Sequence, residues 1–295
     1  IVDGTRLRTL SEKNRLHLKR LQPMRGLMHD RTGRVVVDNR PSFDVVIVPQ
    51  DVEDMPLLLH TIAQYLPDAK GLWNGNLLRN PGRPSYADIV VARDVSRKTL
   101  VAIETHQMDL PGVRIEVSSK RYYPAESVAA HLLGHVGEVN NAEMEQFAGY
   151  RPGDLVGKVG LEKVWEEELR GLSGGQQIEI DASGRKLQVL DEVRAQPGRN
   201  LILTLDLELQ EKSERTLEEV EGALVVLSVH TGEVLAMVNR PAFNPNLFAR
   251  GIRRSEWRQL LENPLHPLTN RVIQGQYPPG STFKPIMAAA ALEEG

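Results

Sequence analysis

Ser281 and Lys284 stand three residues apart in Tyr277-Pro278-Pro279-Gly280-Ser281-Thr282-Phe283-Lys284-Pro285. A serine hydroxyl is inert near neutral pH unless a neighbouring group takes its proton. A lysine can do so when burial or nearby cations lower its pKa. The Pro278-Pro279-Gly280 turn halts the chain, and the run Ile286-Met287-Ala288-Ala289-Ala290-Ala291-Leu292 predicts a helix directly after it. At the mouth of such a helix, residues three apart share a face. The pattern fits a nucleophile, Ser281, with Lys284 as its general base. The spacing alone is not specific, because Ser183-Gly184-Arg185-Lys186 repeats S-x-x-K. That second copy lies between the short alternating runs 177–180 and 187–190 and predicts a hairpin turn. Only eleven residues follow Lys284, so the groups that complete such a site are expected outside this sequence.

Composition narrows the setting. A length of 295 residues predicts about two domains, and 41% hydrophobic with 25% charged residues is ordinary for a globular protein. The net charge of −3 leaves no nucleic-acid footprint. With no cysteine, disulfides and thiolate metal sites are excluded. No run of eighteen apolar residues occurs, so no spanning helix is predicted. The first residues, Ile1-Val2-Asp3, include no Met, and an upstream signal or anchor is an expectation. Residues 1–40 hold ten Lys/Arg against four acids, which reads as a solvated face or a segment near anionic lipid headgroups.

The elements that must carry the pair follow from periodicity. Residues 5–22 predict a helix passing into a strand. Asp30-Arg31-Thr32-Gly33 predicts a hairpin turn, and residues 42–49 a third strand. Met55, Leu58, Leu59, Ile62 and Leu66 recur at helical spacing until Pro67, and residues 70–85 read as a long loop. Residues 87–92 and 99–103 read as two strands around a short turn, making 51–110 a small α+β insert, and a further strand begins at 110–117. A short helix over 127–136 places His131 and His135 at i, i+4. No third ligand lies nearby, so ordinary helix histidines and no metal are expected. Residues 161–169 predict an amphipathic helix that buries Leu161, Val164, Trp165 and Leu169, leaves its acidic face solvated, and stops at Gly171. A seam falls at 197–206. Beyond it come a helix capped by Asp206, a hairpin through His230-Thr231-Gly232, a loop over 240–270 and the Ser281 helix.

Taken in order, these segments resemble the class B penicillin-binding proteins, and within them the elongation-type subgroup, penicillin-binding protein 2. The matching stretches are Pro23-Met24-Arg25-Gly26 through Gly33, Leu110-Pro111-Gly112-Val113, Arg121-Tyr122-Tyr123-Pro124 and His131 through Gly137. Val159-Gly160-Leu161-Glu162 with Leu169-Arg170-Gly171, Thr231 through Met237, and Tyr277 through Lys284 complete the set. The loop Phe243-Asn244-Pro245-Asn246-Leu247-Phe248 is similar to the elongation type. Ser228-Val229-His230-Thr231 replaces the family's Asp-Pro before Thr-Gly-Glu, which reads as a local change of turn.

The resemblance implies an α+β protein. Residues 1–200 would form an elongated non-catalytic pedestal, of the dimerisation type, with 51–110 as a head insert. Residues 201–295 would form the N-terminal part of a serine transpeptidase domain of the penicillin-binding/β-lactamase-like fold. It implies an acyl-enzyme on Ser281 during peptidoglycan cross-linking, with Lys284 as general base, although which group acts as base in such enzymes is disputed. The Ser281 backbone N–H would be half of an oxyanion hole. No cofactor and no metal are implied. The implied partners are peptidoglycan stem peptides, β-lactam antibiotics, a SEDS-family (RodA-like) glycan polymerase and an MreC-like scaffold. The implied location is the periplasmic side of the bacterial inner membrane, held by a single-pass N-terminal anchor. The family's S-x-N and K-T/S-G motifs do not occur in the 295 residues, so the chain alone is expected to be inactive. Two other readings remain: an interaction scaffold, and a class D β-lactamase or β-lactam sensor, which shares Ser-Thr-Phe-Lys but lacks the pedestal.

Overall fold

The computed structural model describes residues 16–66, 89–147, 149–151, 153–180 and 186–294. The chain divides into two compact units. The first takes residues 1–126, 133–203 and 244–252; the second takes 127–132, 204–243 and 253–295. No helix among the described residues is long and apolar enough to cross a membrane.

In the first unit, β1 (Leu16–Leu21) pairs antiparallel with β8 (Gly174–Ile180), which pairs antiparallel with β9 (Lys186–Val193). The turn that carries Ser183, and the helix expected before residue 16, lie outside the described residues. A larger sheet is built on β3 (Val35–Ile47), which pairs antiparallel with β2 (Met28–His29), β4 (Ile89–Ala92) and β5 (Val113–Tyr122). The short β10 (Leu201–Ile202) pairs parallel with β2. The expected β2–β3 turn is present and is tied by buried Asp30. Its Oδ1 accepts from the Thr32 N–H (2.8 Å), the Thr32 hydroxyl (2.7 Å) and the Arg34 N–H (2.9 Å).

The third strand expected at 42–49 is the continuation of β3. Pro41 does not break it, because it lies opposite Ser119 where β3 pairs only with β5 among the described strands. There the missing donor costs least. At the far end of β3, α1 (Met55–Ile62) and α2 (Arg97–Thr105) share one core with the sheet. It comprises Val45, Ile47, Leu58, Ile62, Ile89, Ile103 and Leu110 among others. Residues 99–103 alternate like a strand but form α2. The Ser96 hydroxyl accepts from the Thr99 N–H (3.1 Å) and starts the helix, which buries Ile103 and leaves Val101 exposed. Pro67 and the loop expected at 70–85 lie outside the described residues.

The helix expected over 127–136 shrinks to α3 (Ala130–Leu133). Gly134, at φ +79°, ends it, and a Cβ there would sit 1.9 Å from the Val159 carbonyl oxygen. His135 then opens β6 (His135–Glu138), which pairs antiparallel with β7 (Leu155–Val159). His131 and His135 therefore share no helical face. Between β6 and β7 lies α4 (Asn141–Gln146), capped by a reciprocal Asn140–Glu143 box.

The expected amphipathic helix is split, and its buried stripe is only half as expected: Leu169 is buried and Leu161 half-buried, but Val164 and Trp165 are exposed. The stretch forms α5 (Gly160–Val164) and α6 (Glu166–Arg170), with a break at Trp165 and a stop at Gly171. Val164 is 74% exposed and Trp165 44%, whereas Glu162 is 0% and Glu166 3% exposed. The acids are inside because arginines meet them. Arg25 Nε donates to Glu162 (2.7 Å) and Arg25 Nη2 to Glu166 (2.6 Å), while Arg121 Nε donates to Glu162 (2.6 Å). The Tyr123 hydroxyl (3.1 Å) and the Gly157 N–H (2.7 Å) donate to Glu162 and Glu166 respectively, and the Tyr150 hydroxyl also reaches Glu166. Burial by itself would raise the Glu162 pKa, but the Arg25 and Arg121 charges more than reverse this and hold it below its ordinary 4.5. A segment that arrives later in the chain, α8 (Asn246–Ala249), belongs to this unit. The Asn246 side chain brackets the Tyr123 backbone, accepting from its N–H (3.0 Å) and donating to its carbonyl (2.9 Å), and Phe248 stacks on His135.

The second unit opens with α7 (Leu207–Thr216), capped by Asp206 as expected: its Oδ1 accepts from the Leu209 N–H (3.0 Å). The expected hairpin follows, β11 (Gly222–Leu227) against β12 (Val234–Arg240), in antiparallel register from Gly222↔Arg240. β11 alternates half-buried and exposed positions, while β12 buries four consecutive residues, Ala236 to Asn239. The stretch expected as loop contains α9 (Arg254–Glu262), opened by an Arg253–Glu256 contact in which Glu256 accepts from the Arg253 N–H. Next come α10 (Arg271–Gln274), a short 3₁₀ turn over Gly280–Phe283, and α11 (Lys284–Glu294).

Candidate active site

The chain leading to Ser281 is anchored before that residue is reached. Buried Gln210 of α7 grips β12 by both amide atoms. Its Nε2 donates to the Met237 carbonyl (3.0 Å), and its Oε1 accepts from the Met237 N–H (2.7 Å). One turn on, Glu214 Oε1 accepts from Gln210 Nε2 (2.7 Å) and from the Ala129 N–H (2.7 Å). Strand β12 in turn holds α10, because Asn239 Oδ1 accepts from the Val272 N–H (3.0 Å).

Arg271 is buried and fastens the loop before it. Its Nη2 donates to Glu221 (2.5 Å) and to the Leu265 carbonyl (2.6 Å), and its Nη1 to the His266 carbonyl (3.3 Å). His131 acts on the same loop: its Nε2–H donates to the Pro267 carbonyl (2.8 Å), and its ring meets Phe243 edge-on. Burial pushes the His131 pKa below 6.5; the Pro267 bond opposes that and the Arg271 charge adds to it. His131 thus serves as a structural donor. No cluster of three metal-ligating side chains occurs among the described residues.

From Gly275 to Glu294 the chain is exposed. Gly280, at φ +54°, lets the Pro278-Pro279 segment turn into the helix. The Lys284 N–H donates to the Ser281 carbonyl, and the Thr282 hydroxyl and N–H both reach the Pro279 carbonyl. In such i→i+3 geometry, side chains three apart lie over one another. The turn therefore sets Ser281 and Lys284 on one face at the head of an eleven-residue helix. The backbone N–H groups at a helix start have no partner within the helix. Among the described residues, no side-chain hydrogen bond joins Ser281 to Lys284, and both are exposed. Ser183, the other serine of an S-x-x-K, lies outside the described residues.

Reasoning from spacing missed the supports. Gln210, Glu214, Asn239 and Arg271 carry no motif. The available signal was that Leu207, Gln210 and Glu214 fall at i, i+3, i+7, so polar side chains occupy core positions of α7.

Comparison with known proteins follows this geometry. Residues 20–203 match the penicillin-binding protein dimerisation domain, and residues 222–295 the penicillin-binding protein transpeptidase domain. The peptidoglycan D,D-transpeptidase MrdA of Acinetobacter baumannii is 36% identical over 293 residues, covering 97% of this chain and 43% of that protein. MrdA of Escherichia coli K12 is 33% identical over 304 residues, covering all of this chain and 48% of that protein. The chain thus spans under half the length of these relatives. A structure of penicillin-binding protein PBP2 in complex with MreC from Helicobacter pylori superposes with a TM-score of 0.80 at 27% identity, covering 94% of this chain and 52% of that one. With its dimerisation-domain match filling most of the described chain and a transpeptidase-domain match containing Ser281, this chain belongs to the penicillin-binding protein family.

Proposed function

We propose that the intact protein is a peptidoglycan D,D-transpeptidase that cross-links the wall during cell elongation. The observation that carries this reading is Ser281 at the head of α11 with Lys284 one turn on, inside the transpeptidase-domain match. In this reading Lys284 takes the Ser281 proton, and Oγ attacks the carbonyl carbon of the terminal D-Ala–D-Ala bond. The tetrahedral oxygen is held by the Ser281 N–H and a second donor supplied by the rest of the domain. The C–N bond breaks, D-alanine leaves with a proton, and an ester remains on Ser281. The amine of a neighbouring stem peptide then displaces Oγ, which regains its proton. A β-lactam presents a similar carbonyl and is trapped at the ester stage. The 295 residues hold the nucleophile without the S-x-N and K-T/S-G motifs, so by themselves they form no cross-links. The test is cross-link formation by the full-length enzyme on polymerised glycan, read as dimeric muropeptides. Ser281→Ala is expected to abolish the dimers; dimers at the wild-type level would overturn the assignment.

A second, compatible reading concerns the first unit. The similar Helicobacter pylori PBP2 structure contains MreC, and on that ground the pedestal (residues 1–200, with 51–110 as its head) binds an MreC-like scaffold; a SEDS-family polymerase is a further partner in this reading, carried only by the family resemblance. A single N-terminal anchor would hold the protein on the periplasmic face of the inner membrane.

A further inference from the structure

A short stretch inside the dimerisation-domain match folds with the other unit. The match covers residues 20–203, yet 127–132 belong to the second unit, with first-unit chain on either side of them. They are fixed there at two points. The Ala129 N–H donates to Glu214 Oε1 of α7 (2.7 Å), and His131 Nε2–H donates to the Pro267 carbonyl (2.8 Å). Ala129 takes φ +54°, the left-handed region, although it carries a Cβ and is buried.

Pro267 lies in a second strained turn. His266, directly before it, has φ +44°, whereas a residue before proline is normally driven to negative φ in the extended region. Such a backbone persists only where its surroundings over-determine it. Here three consecutive carbonyls are each taken by a side-chain donor. Arg271 Nη2 holds Leu265 (2.6 Å), Arg271 Nη1 holds His266 (3.3 Å), and His131 holds Pro267. Two of these ties come from a residue a few positions on; the third comes from 136 residues earlier in the chain.

Arg271 makes that turn and α10 one mechanical piece, since it is the first residue of α10. Its carbonyl accepts from the Gly275 N–H (3.0 Å), and the adjacent Val272 N–H is held by Asn239 (3.0 Å). Gly275 opens the exposed segment that leads to Ser281. A Cβ on Gly275 would collide with the Arg271 carbonyl and, at 2.7 Å, with the Tyr277 ring. The chain is therefore packed without slack where α10 hands over to the Pro278-Pro279-Gly280 turn. Loss of the His131 bond leaves the carbonyl of buried Pro267 without that donor and removes one of the three ties on a turn that is strained without them.

We infer that His131 is a positioning residue for the reaction at Ser281. Its hydrogen bond to Pro267 holds the 265–267 turn, and through Arg271 and α10 it sets the course of the chain to the nucleophile. Residues 127–132 are accordingly a working part of the transpeptidase unit. The inference rests on the proposed acyl transfer at Ser281.

The test is stopped-flow acylation of the full-length protein by benzylpenicillin, which separates the non-covalent dissociation constant from the acylation rate constant. His131→Phe keeps a ring beside Phe243 but has no donor. It is expected to lower the acylation rate constant by about 10–100-fold, the scale of a small misplacement of the reacting group. The dissociation constant should stay within about twofold. His131→Gln carries an amide N–H that reaches as far as Nε2 and is expected to restore the rate. If His131→Phe does not fold, His131→Asn takes its place against His131→Gln, because its amide is too short to reach Pro267. A purely packing role would lower the melting temperature and leave the rate constant of the folded protein unchanged. The inference is overturned if the donor-free variant acylates at the wild-type rate, if His131→Gln is as slow as that variant, or if the loss lies in the dissociation constant alone. Ser281→Ala runs alongside. An adduct that persists there overturns the acyl-transfer reading and this inference with it, whereas its loss there beside a wild-type rate in the donor-free variant overturns this inference alone.

Discussion

Lys284 depends on its surroundings more than Ser281 does. A serine at a helix start keeps its N–H and hydroxyl available wherever the turn forms. A lysine becomes a base only where burial or neighbouring cations destabilise its charge. In the described residues Lys284 is exposed, so in the proposed mechanism its activation falls to the remainder of the transpeptidase domain. Lys284→Ala in the full-length protein is therefore expected to slow acylation by a penicillin by about 10²–10⁴-fold, the range of a general base. Stopped-flow acylation kinetics would read this directly. A rate within a factor of two of wild type would assign the base elsewhere.

At the scale of elements, the pair α5–α6 makes the strongest demand. Glu162→Gln leaves Arg25 and Arg121 facing a neutral amide in a buried site. Removing one partner of a buried ion pair costs about 3–5 kcal/mol, which chemical denaturation would register as a loss in the first unit's transition. The sign with pH follows from the lowered Glu162 pKa. Its stabilisation is fully present above the ordinary value of 4.5 and is lost as pH falls through the lower folded value. Wild type should lose stability below pH 4.5, and Glu162→Gln should show a flatter profile over that window. This element also shows what spacing can and cannot convey. A period near 3.6 marks a helix, but not which stripe is buried. The choice of Glu162 and Glu166 over Val164 and Trp165 was made by Arg25 and Arg121, which are 137 and 41 residues from Glu162 in sequence. Likewise the strand-like run at 99–103 was overruled by the Ser96 cap, and the His131–His135 spacing by Gly134. The Asp30 turn, the Asp206 cap, the β11–β12 hairpin and the helix after Ser281 were legible because their signals are local.

At the scale of the whole molecule, the two units are not consecutive in sequence. Residues 244–252 return to the first unit, where Asn246 satisfies both backbone groups of Tyr123 and Phe248 covers His135. A chain cut after residue 203 leaves the Tyr123 N–H and carbonyl without those bonds. It is expected to melt several degrees lower than the 295-residue chain does in its first transition, since two hydrogen bonds worth about 0.5–1.5 kcal/mol each and the packing of Phe248 on His135 are lost. Equal melting of the two chains would show that 244–252 contributes nothing to the unit. The dimerisation-domain match ends at residue 203, and this later segment carries no periodicity that could announce where it packs.

The central claim concerns the covalent chemistry of Ser281, and intact-mass spectrometry of the full-length protein after exposure to benzylpenicillin tests it most directly. The account predicts a single penicilloyl adduct, mapped by peptide sequencing to Ser281 and absent from Ser281→Ala. An adduct of undiminished yield in Ser281→Ala, or one mapped to another residue such as Ser183, would contradict it.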